Sequence, residues 1–274
     1  MLDAVHVNAP PCEVTAGIQT IGAYSQCNGG LFNGYIDQLS ILFNRAKSAS
    51  EILDDATLVA YYSMDCTSFP AWDSGPNLIH GTAVGLTMGD GGRIGQSYLF
   101  TSNSSYFQAS GFILLGQSWS PFSLATWIRP TGSVTNGGSI AHISQYTDGT
   151  GWCLPFLGLS SSGQIVANLW NGSAPVSVIG PVLTVGQWVH VVQTYSTTNG
   201  MRLYVNGVLS GQSTIFAYGA SGVPMSVTLG QALNGLNNCA TGSIQAGYYR
   251  GEIDEFYIYS RELSQASVTA LASP

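Results

Sequence analysis

An acidic stretch near the end of the chain, Glu252-Ile-Asp254-Glu255, carries residue types that could act as acids, bases or metal ligands. Two carboxyl groups about 5 Å apart serve as nucleophile and general acid in retaining glycoside hydrolysis. Residues i, i+2 and i+4 of a strand share a face, so Glu252 and Asp254 lie together and Phe256 follows them on that face. We expect Glu255 on the opposite face, which leaves the second catalytic carboxylate missing.

A similar stretch occurs near the start of the chain. The sequence GYIDQLSILFNRA occupies residues 34–46, and GEIDEFYIYSREL occupies residues 251–263. Asp37 and Asp254 are the carboxylates that both copies keep, because Tyr35 stands where the second copy has its first glutamate. This comparison argues against hydrolysis and leaves Asp254 as the residue to explain.

The repeat extends beyond the acidic stretch. Residues 11–17 resemble residues 224–230. The first of these segments precedes GYIDQLSILFNRA, and the second precedes GEIDEFYIYSREL. We therefore expect residues 1–55 to be the C-terminal part of one repeat and residues 56–274 to be a complete second unit. A tail of two strands is not stable alone in water. The tail must therefore either pack on the second unit or belong to a domain whose remainder is missing. We favour the second alternative, in which the chain is a piece of a longer protein with repeats in tandem.

The composition indicates an all-β protein. Only 8% of the residues are charged and 34 are glycine, so strong formers of exposed helices are scarce. Short β-branched and aromatic runs at hairpin spacing predict an antiparallel sandwich or jelly roll. The predicted strands span residues 57–62, 97–100, 106–109, 122–129, 140–146, 154–159, 164–170, 188–195, 202–205, 226–229 and 253–259.

Three local signals refine this prediction. Asn206-Gly207 predicts a two-residue hairpin, because both turn positions require positive φ. Residues 48–55 and 264–271 are the two helical candidates, and each begins at a serine that can cap a helix. Each short helix follows one copy of the repeated strand.

Charge and cysteine usage narrow the class of protein. The net charge is −7 without a basic stripe, which argues against nucleic acid, and no apolar run approaches the roughly 20 residues that span a bilayer. The five cysteines form no Cys-x-x-Cys and the four histidines are scattered, which argues against zinc. Glycosylation sequons at Asn103 and Asn171, together with the low charge and dispersed cysteines, favour a secreted or cell-surface protein.

A series of motifs follows in a specific order through residues 56–270. They are LVAYYSMD (58–65), DSGPNLIHGT (73–82), GRIGQSYLF (92–100), FSLATWI (122–128), GQWVHVV (186–192), LYVNG (203–207) and GEIDE (251–255). In this order they resemble laminin-G-like domains of the concanavalin A-like lectin/glucanase superfamily. The resemblance implies a jelly roll of two curved antiparallel sheets. It also implies adhesion, carbohydrate binding or protein binding, often in tandem arrays and often with calcium, while the ligand is left open.

Many glucanases of the same superfamily carry Glu-x-Asp-x-Glu or Glu-x-Asp-x-x-Glu. This chain departs from both patterns, since Phe256 and Tyr257 stand in the two possible positions of the final glutamate. We therefore expect a non-catalytic binding or adhesion module for a glycan or an extracellular protein. The alternative is a structural repeat without a small ligand, and a glycoside hydrolase is the third reading.

Two roles stay open for Asp254. It can accept backbone N–H bonds and fix strand register, or it can supply an oxygen ligand to a structural Ca²⁺. The opening and closing strands of a jelly roll commonly pair, which would bring Asp65 near the start of the closing strand. Asp65, Asp73 and Asp254 are therefore the predicted calcium ligands.

The same pairing bears on the cysteines. Cys66 follows the opening strand and Cys239 precedes the closing strand, so we predict a Cys66–Cys239 disulfide. Cys153 is the competing partner of Cys239. Cys12 and Cys27 could pair within the partial unit.

Loop residues supply the candidates for ligand binding. Aromatic faces stack on sugars while neighbouring amides and carboxylates bind hydroxyl groups, which is typical of concave sites with a few polar groups. A tryptophan at a strand end can instead cap the core, and a glycan on Asn171 would weaken the assignment of a sugar site. The predicted ligand-binding residues are Trp72, Tyr146, Asp148, Trp152, Trp170 and Asn171.

Overall fold

The computed structural model of the protein describes Gly34, residues 45–65 and residues 71–273. The chain divides into two compact units, Met1–Asn44 and Arg45–Pro274. The predicted partial repeat, and with it Cys12 and Cys27, therefore lies largely outside the described residues and stays a prediction. Residues 45–55 belong to the second unit, and the rest of this subsection concerns that unit.

Fifteen strands and two α-helices occur among the described residues. The helices are α1 (Ala49–Thr57) and α2 (Gln265–Leu271). The strands are β1 (Leu58–Tyr62), β2 (Thr82–Val84), β3 (Thr87–Met88), β4 (Tyr98–Phe100), β5 (Tyr106–Phe112), β6 (Phe122–Pro130), β7 (Gly138–Ser144), β8 (Cys153–Leu159), β9 (Gln164–Trp170), β10 (Pro175–Val182), β11 (Val189–Ser196), β12 (Gly200–Val205), β13 (Val208–Gln212), β14 (Met225–Leu229) and β15 (Gly251–Tyr259). Neither helix has the length and hydropathy that a membrane span requires.

The strands form two antiparallel sheets that pack as a sandwich. The first, here the β15 sheet, has the order β13-β12-β11-β6-β15-β4-β3, with β1 also paired to β15. The second, here the β14 sheet, has the order β10-β9-β8-β7-β14-β5-β2. This arrangement confirms the predicted all-β jelly-roll sandwich, including the pairing of the opening strand β1 with the closing strand β15.

Side-chain alternation explains how the sheets meet. In β6, Phe122, Leu124 and Ile128 belong to the main buried cluster, whereas Ala125 belongs to a smaller cluster with Leu263 and Val268. Strand residues at odd and even positions point to opposite faces. The core thus lies between the sheets, and α2 covers part of the outer face of the β15 sheet.

The predicted local signals are present. Ser48 and Ser264 are the N-caps of α1 and α2, and Ser48 forms a full capping box with Glu51. Asn206 and Gly207 have φ values of 50° and 78° and connect β12 to β13, as a two-residue hairpin requires.

Strand β10 was not predicted, because Pro175 and Pro181 interrupt its hydrophobic pattern. It lies at the edge of the β14 sheet, paired only with β9. Proline is tolerated at an edge because no further ladder bond is needed on the free side.

Candidate ligand-binding site

The acidic stretch is buried in β15, next to the loop that precedes β4. Glu252 accepts hydrogen bonds from Arg129 Nη2 at 2.6 Å and from Ser97 Oγ at 2.7 Å. The exposed fractions of Glu252, Asp254 and Glu255 are 3%, 0% and 2%. Both carboxyl groups of a glycosidase must reach the bond that is cleaved, and these side chains do not reach the surface.

Glu255 departs from the predicted alternation. The pairing of β15 with β6 shifts register between Asp254 and Tyr257, and Glu255 has a φ of 54°. Such a bulge inserts one residue and breaks the alternation of faces. The Glu255 carboxylate accepts hydrogen bonds from Tyr61 and Tyr257, whose rings stack 4.3 Å apart on the outer face. The expectation that Glu255 lies opposite Asp254 was therefore wrong.

Asp254 fixes a loop. Its Oδ2 accepts the backbone N–H groups of Arg93 and Ile94 at 2.7 and 3.0 Å, and its Oδ1 has no hydrogen-bond partner among the described residues. Burial raises the pKa of Asp254 to about 7, and the nearby charges of Glu255 and Asp65 add to the rise. The first of its two predicted roles, acceptance of backbone N–H bonds, is observed, although the donors lie in a loop and not in a paired strand.

The predicted calcium ligands are not assembled into one site. Asp73 accepts N–H bonds from Tyr61, Gly75 and Ile79, which occupy both carboxylate oxygens. Asp65 accepts the N–H of Gln96 and so holds the same loop as Asp254. No three carboxylates among the described residues converge within 4.8 Å. The set of Asp65, Asp73 and Asp254 therefore does not fit calcium as the structure stands.

Cys239 forms its disulfide with Cys153, with the two Cα atoms 5.4 Å apart. The predicted Cys66–Cys239 disulfide was wrong. Cys239 follows β14, which pairs with β7, and β7 pairs with the strand that begins at Cys153. The segment between Cys239 and β15 is long enough to leave the cysteine beside the β14 sheet. Cys66 lies outside the described residues.

Trp152 and Trp170 come together around this disulfide. They line a cavity of about 230 Å³ at one end of β8 and β9, which are neighbours in the β14 sheet. The edge of Trp152 packs against Phe156 and Tyr218, at centroid distances of 6.4 and 6.1 Å. The cavity is lined by Gly151, Trp152, Cys153, Leu154, Trp170, Asn238, Cys239 and Ala240. We refer to it as the tryptophan cavity.

Asn238 contributes a polar amide to the lining of the tryptophan cavity, and its Nδ2 donates to the carbonyl of Asn234 at 2.7 Å. Tyr146 and Asp148 lie in the neighbouring turn and do not line the cavity. Asp148 shapes the preceding turn by accepting the N–H and Oγ–H of Thr150, and these hydrogen bonds lower the pKa of Asp148. Tyr146 belongs to the same turn and is exposed. The turn ends at Gly151, which lines the cavity.

Two predicted site residues have other surroundings. Trp72 is exposed and lies edge-on to His80 at 4.5 Å, beside a different cavity that Asp65 and Tyr98 help to line. Asn171 uses its Oδ1 to accept N–H bonds from Ser173 and Ala174, which shapes the turn after β9. Trp72 therefore does not join the tryptophan cavity.

Sequence reasoning missed Asn238 as a site residue. It is 68 positions from Trp170 along the chain and has no distinctive motif. The Cys153–Cys239 disulfide, together with the hydrogen bond from Asn234 N–H to the Asp148 carbonyl, brings its segment to the tryptophans. The correct cysteine pairing would have been the signal that places it there.

A family model described as the concanavalin A-like lectin/glucanases superfamily, laminin G type, matches residues 101–269. The chain belongs to this family, as the motifs predicted. No curated protein matches the sequence.

Solved structures share the fold at low identity. One is domain 4 of AbnA, a GH43 extracellular arabinanase from Geobacillus stearothermophilus, which was solved in complex with arabinotriose. Its sequence is 20% identical to this chain and its TM-score is 0.53, and the alignment covers 79% of this chain and 98% of that domain. The binding domain of Paraclostridial Mosquitocidal Protein 1 is 17% identical, with a TM-score of 0.58 and coverages of 80% and 52%. A botulinum neurotoxin type C structure, whose cell entry depends on two ganglioside molecules, is 16% identical, with a TM-score of 0.56 and coverages of 81% and 52%. This chain spans about half the length of the toxin domains that it matches.

Proposed function

We propose that this protein is an extracellular, non-catalytic carbohydrate-binding module whose ligand occupies the tryptophan cavity. The observation that carries the proposal is the convergence of Trp152 and Trp170 beside the amide of Asn238. Aromatic rings contact the C–H faces of sugars, and an amide can both donate to and accept from hydroxyl groups. A volume of about 230 Å³ suits a single sugar ring whose neighbours extend into solvent.

The relatives support this class of ligand. Domain 4 of AbnA was solved in complex with arabinotriose, and the botulinum neurotoxin type C structure concerns gangliosides. Their likeness to this chain is one of fold, so the comparison supports a glycan ligand without specifying which glycan. The Cys153–Cys239 disulfide supports an extracellular location, since disulfides persist in oxidising compartments.

The buried carboxylates support the absence of catalysis. Arg129 and Ser97 hold Glu252, and Tyr61 and Tyr257 hold Glu255, so each carboxylate has structural partners. The free oxygen of Asp254 is enclosed. A hydrolase would need two of these groups in an open cleft.

A structural repeat of an extracellular array is the competing proposal. The packing of Trp152 against Phe156 and Tyr218 favours it, because a tryptophan in such a position also stabilises the core edge. A protein ligand at the tryptophan cavity is the third possibility. Screening on a neutral glycan array separates the carbohydrate-binding proposal from the other two, since neither a structural repeat nor a protein-binding module binds the glycans.

Replacement of Trp170 by alanine is expected to weaken binding of the selected glycan by roughly 10- to 100-fold. One stacked and partly buried indole contributes about 1.5 to 3 kcal/mol. Isothermal titration calorimetry measures the loss, and circular dichroism checks that the variant is folded. Trp72→Ala is the matched control, because Trp72 is exposed but lies beside another cavity. Equal affinities of wild type and Trp170→Ala would contradict the proposed site.

A further inference from the structure

A second cavity of about 250 Å³ lies between the turn after β6 and the segment that leads into β15. Pro130, Val134 and Leu159 supply apolar surface, and Asn136, Tyr248 and Arg250 supply polar groups. None of the acidic residues that the structure describes lines this cavity. The chain has 14 Asp and Glu residues and 7 Lys and Arg residues, so the protein as a whole is acidic. The lining of this cavity has the opposite sign, since among the described residues it contains one arginine and no acid.

Arg250 differs from most other cations of the chain. Five of the seven Lys and Arg side chains form ion pairs with carboxylates, namely Arg45, Lys47, Arg129, Arg202 and Arg261. Arg93 lies over the ring of Trp127. Arg250 is exposed at the cavity and has no carboxylate partner among the described residues.

Tyr248 orients the Arg250 guanidinium. The guanidinium lies 4.9 Å from the centre of the Tyr248 ring, and both Nε and Nη2 donate to the Tyr248 hydroxyl oxygen. This contact uses the side of the guanidinium and leaves the Nη1–Nη2 end available. Two parallel N–H groups of this kind match the two oxygens of a carboxylate.

The backbone fixes this arrangement. Tyr248 forms a parallel bridge with Ser139 at the start of β7. The Arg250 side chain packs closely against the backbone of Gly132. A Cβ atom added at residue 132 would lie only 3.0 Å from the Cβ of Arg250. The arginine is thus held against a glycine turn, which reduces the entropy lost when it binds a ligand.

We propose that this cavity binds the carboxylate of an acidic sugar, such as a uronic acid residue of a glycan. The guanidinium end of Arg250 binds the carboxylate, and the Tyr248 hydroxyl and the Asn136 amide bind sugar hydroxyls. Val134 and Leu159 contact the C–H face of the ring. A single planar cation matches a single carboxylate. The choice of a sugar rests on the proposed function, whereas the anion site itself does not.

Isothermal titration with galacturonate and glucuronate oligosaccharides tests the inference, with carboxyl-reduced versions of the same sugars as neutral counterparts. We expect the acidic forms to bind and the reduced forms to bind at least about 10-fold more weakly, as the loss of a charge-assisted bidentate pair predicts. Arg250→Gln should lower the affinity for the acidic sugars by about 10- to 100-fold. Arg250→Lys should retain part of it, and added salt should weaken it.

Arg93→Gln is the matched control, since Arg93 is also exposed and stacked on an aromatic ring but does not line this cavity. It should leave binding of the acidic sugars unchanged. The inference would be overturned if the acidic and reduced sugars bound equally, or if Arg93→Gln lost as much affinity as Arg250→Gln. It would also be overturned if no acidic sugar bound, or if the site preferred a peptide C-terminal carboxylate. Trp170→Ala should spare the acidic-sugar site and Arg250→Gln should spare binding of neutral glycans, so failure of one site is distinguishable from failure of the other.

Discussion

Replacement of both Cys153 and Cys239 by serine is expected to lower the free energy of unfolding by about 4 to 5 kcal/mol. The disulfide joins residues 86 positions apart, and closing a loop of this length restricts the unfolded chain to about that extent. It also ties the segment after β14 to the start of β8. Urea unfolding of the wild type and the variant measures the difference.

A reducing agent should destabilise the unit Arg45–Pro274 in the wild type and leave the same unit of this variant unaffected. Cys66→Ser is the matched control and should keep the sensitivity of the wild type to reduction. If Cys66→Ser lost the sensitivity to reduction, Cys239 would be paired with Cys66, as predicted from the sequence, and not with Cys153. The double variant should also bind glycan more weakly, because both cysteines line the tryptophan cavity.

Asp254 is expected to make the protein less stable as the pH rises from about 4 to 8. Its pKa of about 7 in the folded protein lies above the usual value of 3.8, so the folded state binds the proton more tightly than the unfolded state does. Its favourable contribution is complete below pH 4 and is lost as the pH rises through 7. The difference between 3.8 and about 7 sets an upper bound of roughly 4 kcal/mol on this contribution, because partial screening by solvent reduces it.

Asp254→Asn should remove this contribution, so that the wild type loses stability relative to the variant as the pH rises from 4 to 8. The comparison is made between the two proteins because burial lowers the pKa of His142 and His190 to about 4, and these two groups act in the opposite direction in both proteins. The asparagine keeps an oxygen that can accept the N–H groups of Arg93 and Ile94, and it cannot ionise. Glu255 retains part of the slope, because burial also raises its pKa. Unfolding free energies of wild type and variant from pH 4 to 8 give the result. Asp148→Asn is the control and should keep the wild-type profile between pH 4 and 8, since hydrogen bonds from Thr150 lower the pKa of Asp148 and place its titration below this range.

A pH profile that is the same in Asp254→Asn and the wild type would contradict this account. Calcium offers a second check. An ion bound through Asp254 would hold the carboxylate ionised, so added Ca²⁺ would raise the Tm at pH 8 and a chelator would lower it. The arrangement of Asp65, Asp73 and Asp254 predicts no such change.

The sequence predicted much of the framework for physical reasons that are local. Alternation of apolar residues identified strands such as β6, because one face of each strand is buried. Ser48 and Ser264 marked the helix starts, and Asn206-Gly207 marked a hairpin, because few other residues satisfy these backbone geometries. The closeness of Trp152 and Trp170 follows from their positions at neighbouring ends of adjacent strands.

The features that were missed depend on distant contacts or on a single inserted residue. The bulge at Glu255 leaves no trace in the hydrophobic pattern, yet it moves a carboxylate to the other face. The partner of Cys239 was misassigned because the following segment carries the chain from the β14 sheet back to the β15 sheet. The cavity at Arg250 joins a turn after β6 to a segment more than 100 residues later, which no local pattern reveals.

The most direct test of a ligand in the tryptophan cavity is an NMR titration that follows the indole N–H signals. The chain has six tryptophans, so each signal can be assigned by substitution. With the glycan selected from the array, the signals of Trp152 and Trp170 are expected to shift and those of Trp72 and Trp119 to stay in place. Shifts confined to Trp72 or Trp119, or no shift with any glycan on the array, would contradict the proposal.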